Sequence, residues 1–376
     1  MEDLEKYQYS NEFHLAIQLK SWMAINPSIG CLWNCAYCIQ HKDTFFNNLG
    51  PGKIKKIYSP KETISELLKN SRITSKTPLT FYNFSDPFLP HNTKDLKTIL
   101  LELDNKKFQN IVGFITKTLP DIETLEVIAG LNYLRPLVLV SYAGYQNKQL
   151  ESAPIGQRIN LLEELKKRGI PTLQYLRPIA REWLETDHFK KTRDSVKGLI
   201  DGVVMSGIRI TPEIAKNIQS RGLQVPKVNN YLNKFFPKEI QEEIIEAYRD
   251  ISPVYRYTSC GVSAIFGLPD YNAHLGFFRE TQNSQFYQCP LPCNNKQKGI
   301  CSSCKNPSQS EVRGLLNKIG LEETKFKIKP SGMISIDRET NKEDLTFLRH
   351  NTLAHVDYEN HTHHIDQVGG MEINQK

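Results

Sequence analysis

The sequence predicts an α/β fold, a partial (β/α)6 TIM-type barrel followed by a Cys-rich C-terminal extension. Two observations carry this expectation. Up to about residue 215, short segments rich in β-branched and aromatic residues alternate with stretches of helical apolar spacing. Beyond that point the alternation stops, and a stretch rich in Cys, Pro and Asn follows at 285–308. Repeated strand–helix units form a parallel sheet through right-handed crossovers, and such folds place their chemistry at the C-terminal ends of the strands.

The elements follow in order. Strands are expected at 14–22, 79–84, 110–116, 136–142, 171–177 and 201–207, each short, apolar and bounded by turn residues. Helices are expected between them at 60–69, 93–104, 121–131 and 155–168. In the last of these, Ile155, Ile159, Leu162 and Leu165 repeat at helical spacing, Lys166, Lys167 and Arg168 suit the negative end, and Gly169 follows as a stop. Asp121 is positioned to cap 121–131. A further helix is expected at 237–249, with Ile240, Ile244 and Tyr248 on one face. This divides the chain into a partial barrel, 1–215, and a C-terminal region, 216–376, which holds the Cys-rich loop and a substrate or tail segment. The segment 325–376 carries two weak strand signals. The chain shows no internal repeat.

Composition narrows the class. Of 376 residues, 39% are hydrophobic and 24% charged, which suits a buried core and not a disordered chain. The net charge of +7 permits an anionic partner such as nucleic acid without requiring one. The 16 tyrosines and 17 phenylalanines could stack bases, although core packing accounts for most of them. No apolar run is long enough to span a membrane, and the acidic N-terminus has no apolar signal core, so a cytoplasmic location away from membranes is expected. In a reducing compartment the eight cysteines point to metal rather than disulfides, and seven of them cluster.

The first cluster is Cys31, Cys35 and Cys38, spaced C-x3-C-x2-C. Three thiolates on a tight loop can hold a cubane of four irons and leave one iron open. Structural zinc takes four ligands, so a set of three points away from a closed zinc site. With Tyr37 as the aromatic before the last Cys, this segment resembles the signature of the radical S-adenosylmethionine (SAM) superfamily. An ordered set of weaker pieces over about 20–210 resembles its spore photoproduct lyase-like branch. These pieces are Ser85-Asp86-Pro87, Ile115-Thr116-Lys117, Pro154 with Arg158, and Leu176-Arg177-Pro178.

The resemblance implies a [4Fe-4S] cluster, SAM chelated to the open iron, reductive SAM cleavage and hydrogen abstraction from a substrate. It also implies a flavodoxin- or ferredoxin-like electron donor. Tyr37, Ser85, Asp86, Lys117, Ser141 and Arg177 are the candidate cofactor-binding residues. All but Tyr37 fall at or near C-terminal strand ends. Asp86 is expected to accept from the SAM amino group, Lys117 or Arg177 to meet its carboxylate, and Ser141 to contact the ribose. The sequence departs from the family pattern twice. The Gly-Gly-Glu motif common on strand two elsewhere in the superfamily is absent. Tyr82-Asn83-Phe84 also supplies no thiol where the lyase carries its hydrogen-donating Cys. Repair of the spore lesion is therefore not expected.

The second cluster, Cys289, Cys293, Cys301 and Cys304, offers four soft ligands for an auxiliary iron–sulfur cluster or zinc. Cys260 stands alone, as an outlying ligand, a hydrogen donor to a substrate radical, or a small buried residue. His355, His361, His363 and His364 lie near the C-terminus, where a solvated tail is expected in preference to a metal site. Three functions remain open: a radical SAM enzyme acting on a nucleic acid base, one tailoring a small molecule or peptide, and a zinc-stabilised nucleic-acid-binding module without catalysis.

Overall fold

A computed structural model describes residues 15–41, 49, 52–227, 236–281 and 289–358. In chain order its first elements are β1 (Ala16–Leu19), β2 (Trp22–Ile25), β3 (Ser28–Gly30), β4 (Ile54–Lys56), α1 (Pro60–Lys69), β5 (Leu79–Phe81), α2 (Pro90–Asn105), β6 (Ile111–Thr116) and α3 (Ile122–Ala129). Then come β7 (Arg135–Ser141), α4 (Ile155–Lys167), β8 (Thr172–Ile179), α5 (His188–Val196), β9 (Gly202–Gly207), α6 (Pro212–Ser220), α7 (Lys238–Tyr248) and β10 (Val254–Tyr255). The chain continues with α8 (Thr258–Ile265), α9 (His274–Thr281), α10 (Asn295–Ser302), α11 (Gln309–Lys318), β11 (Phe326–Ile328), β12 (Ile334–Ile336), α12 (Lys342–Thr352) and β13 (Val356–Tyr358).

One eight-stranded sheet runs β1-β2-β5-β6-β7-β8-β9-β10, and from β2 onward every neighbouring pair is parallel. The sheet has two ends and does not close, so the partial barrel expected from the strand–helix alternation is the observed architecture. Its outer face carries the main core. There Met23, Ile25, Leu79, Phe81, Val112, Phe114, Val138, Val140, Leu176 and Met205 meet Leu96, Leu125, Leu161 and Leu165 of the crossover helices. Alternation sends the other set inward, where Trp22, Leu137, Leu139, Leu173, Tyr175 and Val204 meet Tyr257, Val262, Phe277 and Phe278 of the C-terminal region. The inner face is thus filled by chain from beyond β10. A small third sheet, β11-β12-β13, packs with α11 and α12 into a satellite core around Val312, Ile334, Leu345 and Val356.

Local chemistry explains the boundaries. Ser59 and Glu62 form a reciprocal capping box on α1, and Asp121 caps α3 by accepting from the Thr124 amide. Pro90 opens α2 earlier than its apolar spacing indicates, because proline is pre-set for the first helical position. Strand β5 ends at Phe81 because Tyr82 turns into a left-handed conformation with φ 55°.

Two expectations change. The strand expected at 14–22 is an antiparallel pair, and β2 rather than β1 lies parallel to β5. The physical reason is the Lys20-Ser21 turn, after which Trp22, Met23, Ala24 and Ile25 are all buried. The Cys-rich stretch is not all loop, since its described part contains α10, capped by Asn294 accepting from the Gln297 amide. Among the described residues, no helix is long and apolar enough to cross a membrane.

Candidate metal centre

Cys31, Cys35 and Cys38 lie just beyond the C-terminal end of β2, after the short excursion of β3, which pairs with β4. The turn into the loop needs Gly30. It has φ +85°, and a Cβ there would stand 2.2 Å from the Lys53 carbonyl oxygen. Cys31 and Cys35 are buried and Cys38 is half-buried.

The loop is tied down along its length. The Trp33 Nε1–H donates to Thr118 Oγ1 at 2.9 Å, and the Asn34 amide donates to Ser152 Oγ at 2.9 Å. The Ala36 amide donates to the Leu150 carbonyl at 2.9 Å. From α6 and the turn after it, Asn217 Nδ2 donates to the Ala36 carbonyl at 2.7 Å. Arg221 donates to both the carbonyl and the side-chain oxygen of Asn34, each at 2.6 Å. These bonds set the path of the loop without using the thiols. Burial pushes the Cys31 and Cys35 thiols up and takes Cys38 up to about 12, which favours the protonated thiols. A metal would drive off their protons on binding.

Beside the loop, Tyr37 donates to Glu151, and Lys117 Nζ reaches both Tyr37 Oη and Glu151 Oε1 at 2.5 Å. Arg158 of α4 pairs with the other Glu151 oxygen and donates to the Ala153 carbonyl at 2.8 Å. The Glu151 and Arg158 side chains are fully buried. Burial pushes Glu151 up, but Lys117 and Arg158 outweigh it and hold its pKa at about 2. The aromatic residue of the Cys motif is thereby locked to the end of β6 and to the loop between β7 and α4.

Asp86 accepts four hydrogen bonds from the protein. Its Oδ1 accepts from the Phe88 amide at 3.0 Å and from Thr116 Oγ1 at 2.6 Å, while Oδ2 accepts from the Lys117 amide and Thr118 Oγ1, both at 2.9 Å. Four protein donors fill a carboxylate, so Asp86 braces the end of β5 against the end of β6. Ser85 accepts from Asn92 Nδ2 at 3.1 Å. Alternation from Leu139 and Tyr175 places Ser141 and Arg177 on the inner face at the ends of β7 and β8. Arg177 lies over the Tyr175 ring, 4.2 Å from its centroid, and donates to Tyr175 Oη at 2.6 Å; that hydroxyl is 2.8 Å from Thr258 Oγ1. Ser206 shares this inner rim at the end of β9, and sequence reasoning missed it along with Glu151.

The other thiols lie elsewhere. Cys260, Cys289, Cys293 and Cys301 line one pocket together with Asp270 and His274. Cys304 lines a neighbouring pocket with Arg279 and Cys301. His355 is buried, its ring edge-on to Phe277. His361, His363 and His364 lie outside the described residues.

No protein-family model and no curated protein sequence matches the chain. A solved spore photoproduct lyase variant with bound AdoMet and dinucleoside spore photoproduct aligns at TM-score 0.50 and 14% identity, over 68% of this chain and 85% of that one. Spore photoproduct lyase complexed with dinucleoside spore photoproduct aligns at TM-score 0.51 and 15% identity, over 67% and 84%. At these identities the likeness is one of architecture, and this chain carries the partial-barrel fold of the spore photoproduct lyase structures.

Proposed function

We propose that this chain is a radical SAM enzyme of the cytoplasm. The observation that carries the reading is a buried, externally tied loop bearing three thiols at the C-terminal ends of an open parallel sheet, with every other cysteine of the described structure placed elsewhere. The donor set fits a cluster with one iron left free. Cys31, Cys35 and Cys38 would hold [4Fe-4S], and SAM would take the open position. When bound, the pair supplies reductive cleavage of SAM and a 5′-deoxyadenosyl radical that takes hydrogen from substrate.

This chain's residues prepare the place. The bonds from Thr118, Ser152, Leu150, Asn217 and Arg221 hold the loop in one shape before any ligand arrives. Glu151 pairs with both Lys117 and Arg158 and accepts from Tyr37. Of the polar groups assigned to SAM by resemblance, Tyr37, Asp86 and Lys117 are held in a network of protein partners, whereas Ser141, Arg177 and Ser85, which accepts one bond from Asn92, keep hydrogen-bonding capacity for it. Arg177, braced by Tyr175, keeps guanidinium donors for a carboxylate.

For the substrate we favour a nucleic acid base. The net charge of +7 and the dinucleoside ligand of the lyase structures support this choice. A flavodoxin- or ferredoxin-like protein would deliver the electron. The test is anaerobic incubation with SAM and dithionite, with and without nucleic acid, and chromatographic measurement of 5′-deoxyadenosine. Cys35→Ala is expected to reduce release to background, and nucleic acid to stimulate the wild type. Release by Cys35→Ala at the wild-type rate would overturn the assignment, as would zinc alone in anaerobically purified protein.

A further inference from the structure

The second group of cysteines is assembled differently in space from its order in the sequence. Cys289, Cys293 and Cys301 do converge, but the fourth thiol facing them is Cys260 of α8, not Cys304. Cys304 sits beyond α10 among Lys76, Arg279 and Glu311, and its sulfur points to the Lys305 carbonyl at 3.8 Å. Leu275 and Leu291 complete the apolar part of the pocket wall. We propose that Cys260, Cys289, Cys293 and Cys301 ligate a second iron–sulfur cluster.

One observation separates a cluster from a single ion, and a second shows the sulfurs prepared for a metal. A tetrahedral zinc site, with Zn–S near 2.3 Å, draws its sulfurs to about 4 Å from one another. Among the described residues, the one set of three donor atoms within 4.8 Å of one another is Cys260, Asp270 and His274, so no three of the four thiols are that close. In that triad His274 Nδ1 and Asp270 Oδ2 already hydrogen-bond to each other at 2.7 Å. Sulfurs that stand apart around one shared pocket suit a group with several metal atoms between them.

The second observation is the set of donors aimed at sulfur. The Asp270 amide donates to Cys301 Sγ at 3.4 Å, and Gln297 Nε2 donates to the same sulfur at 3.6 Å. Gln297 is buried and also donates to the Leu268 carbonyl at 2.7 Å, which fixes its amide group in place. Amide N–H groups directed at thiolates stabilise their charge and tune a cluster's potential. Helix α8 itself is pinned close to the sheet, since a Cβ on Gly261 would stand 2.7 Å from Val204. Cys260 is therefore held rigidly toward the pocket.

This inference does not depend on the first cluster. The test removes that cluster and counts what remains. The C31A/C35A/C38A chain, purified anaerobically and reconstituted with iron and sulfide, is expected to retain about four irons with matching labile sulfide. Adding Cys260→Ala, or the half-buried Cys293→Ala as a milder variant, should remove them, while adding Cys304→Ala should leave them in place. One zinc per chain in place of iron would overturn the proposal. So would absence of iron from the C31A/C35A/C38A chain, or loss of iron on Cys304→Ala with retention on both Cys260→Ala and Cys293→Ala. A failure of the SAM cleavage assay would leave these counts unchanged.

Discussion

Glu151 is where the charges beside the cysteine loop meet. Its carboxylate separates two cations, Lys117 and Arg158, in a place water does not reach. Its folded pKa, about 2, lies below its ordinary value of 4.5. The stability it contributes is therefore complete above the ordinary value and is lost as pH falls toward 2. Glu151→Gln leaves both cations buried without a counter-ion, and it should cost about 3–5 kcal/mol in urea unfolding at pH 7. A cost near zero would show that solvent reaches the network. This residue was illegible in the sequence. It sits in a polar stretch, Asn147 to Ser152, with no helical or strand period, and its partners come from other elements. The thiols at 31, 35 and 38 stood out as a candidate site because their whole pattern fits within eight residues. Asp86 shows the converse. Its place at a strand end was readable, but the four donors that fill its oxygens come from backbone and side chains only the fold brings near.

At the scale of elements, α6 and the turn after it reach back across the barrel mouth to the loop. Arg221 holds Asn34 by its carbonyl and its side chain, and Asn217 holds Ala36. These bonds are partly exposed and contribute little to folding, but they fix the ligand loop. Arg221→Ala should shift unfolding by less than about 1 kcal/mol. It should nonetheless speed iron loss to a chelator several-fold. An unchanged rate would remove α6 from the support of the site. The crossover helices α1, α3, α4 and α7 were readable from caps and apolar spacing. The β1–β2 pair was not, since Lys20-Ser21 carries none of the Gly, Asn or Asp that usually marks a tight turn. Helix α10 was hidden too, because Gln297 is its one buried residue and no apolar face announces it.

Across the whole molecule, the sheet's β1 end is covered from the far end of the chain. Helix α12 packs beside β1, and His350 Nε2 lies 3.1 Å from both the Lys20 carbonyl and Asn272 Oδ1. The same helix anchors Arg72 through Asp344 at 2.7 Å and Thr74 through Asn351 at 2.5 Å. Burial lowers the His350 pKa to about 4, with Arg349 adding to the shift and Asp270 opposing it. Below pH 6.5 the unfolded chain takes a proton that the folded chain refuses, so stability falls as pH drops toward 4. The loss from this residue should be about 2–3 kcal/mol. His350→Gln should flatten that part of the stability–pH curve, and an unchanged slope would place the acid sensitivity elsewhere.

The filling of the inner face has a practical consequence. A fragment ending at residue 215 would keep every strand from β1 to β9 and all three thiols of the motif, yet would leave Trp22, Leu137, Leu139, Leu173, Tyr175 and Val204 lining an unplugged trough. Greasy troughs of that kind drive self-association, so the fragment should precipitate where the complete polypeptide does not. The stretch that looks like an appendage in the primary structure is the stopper of the barrel.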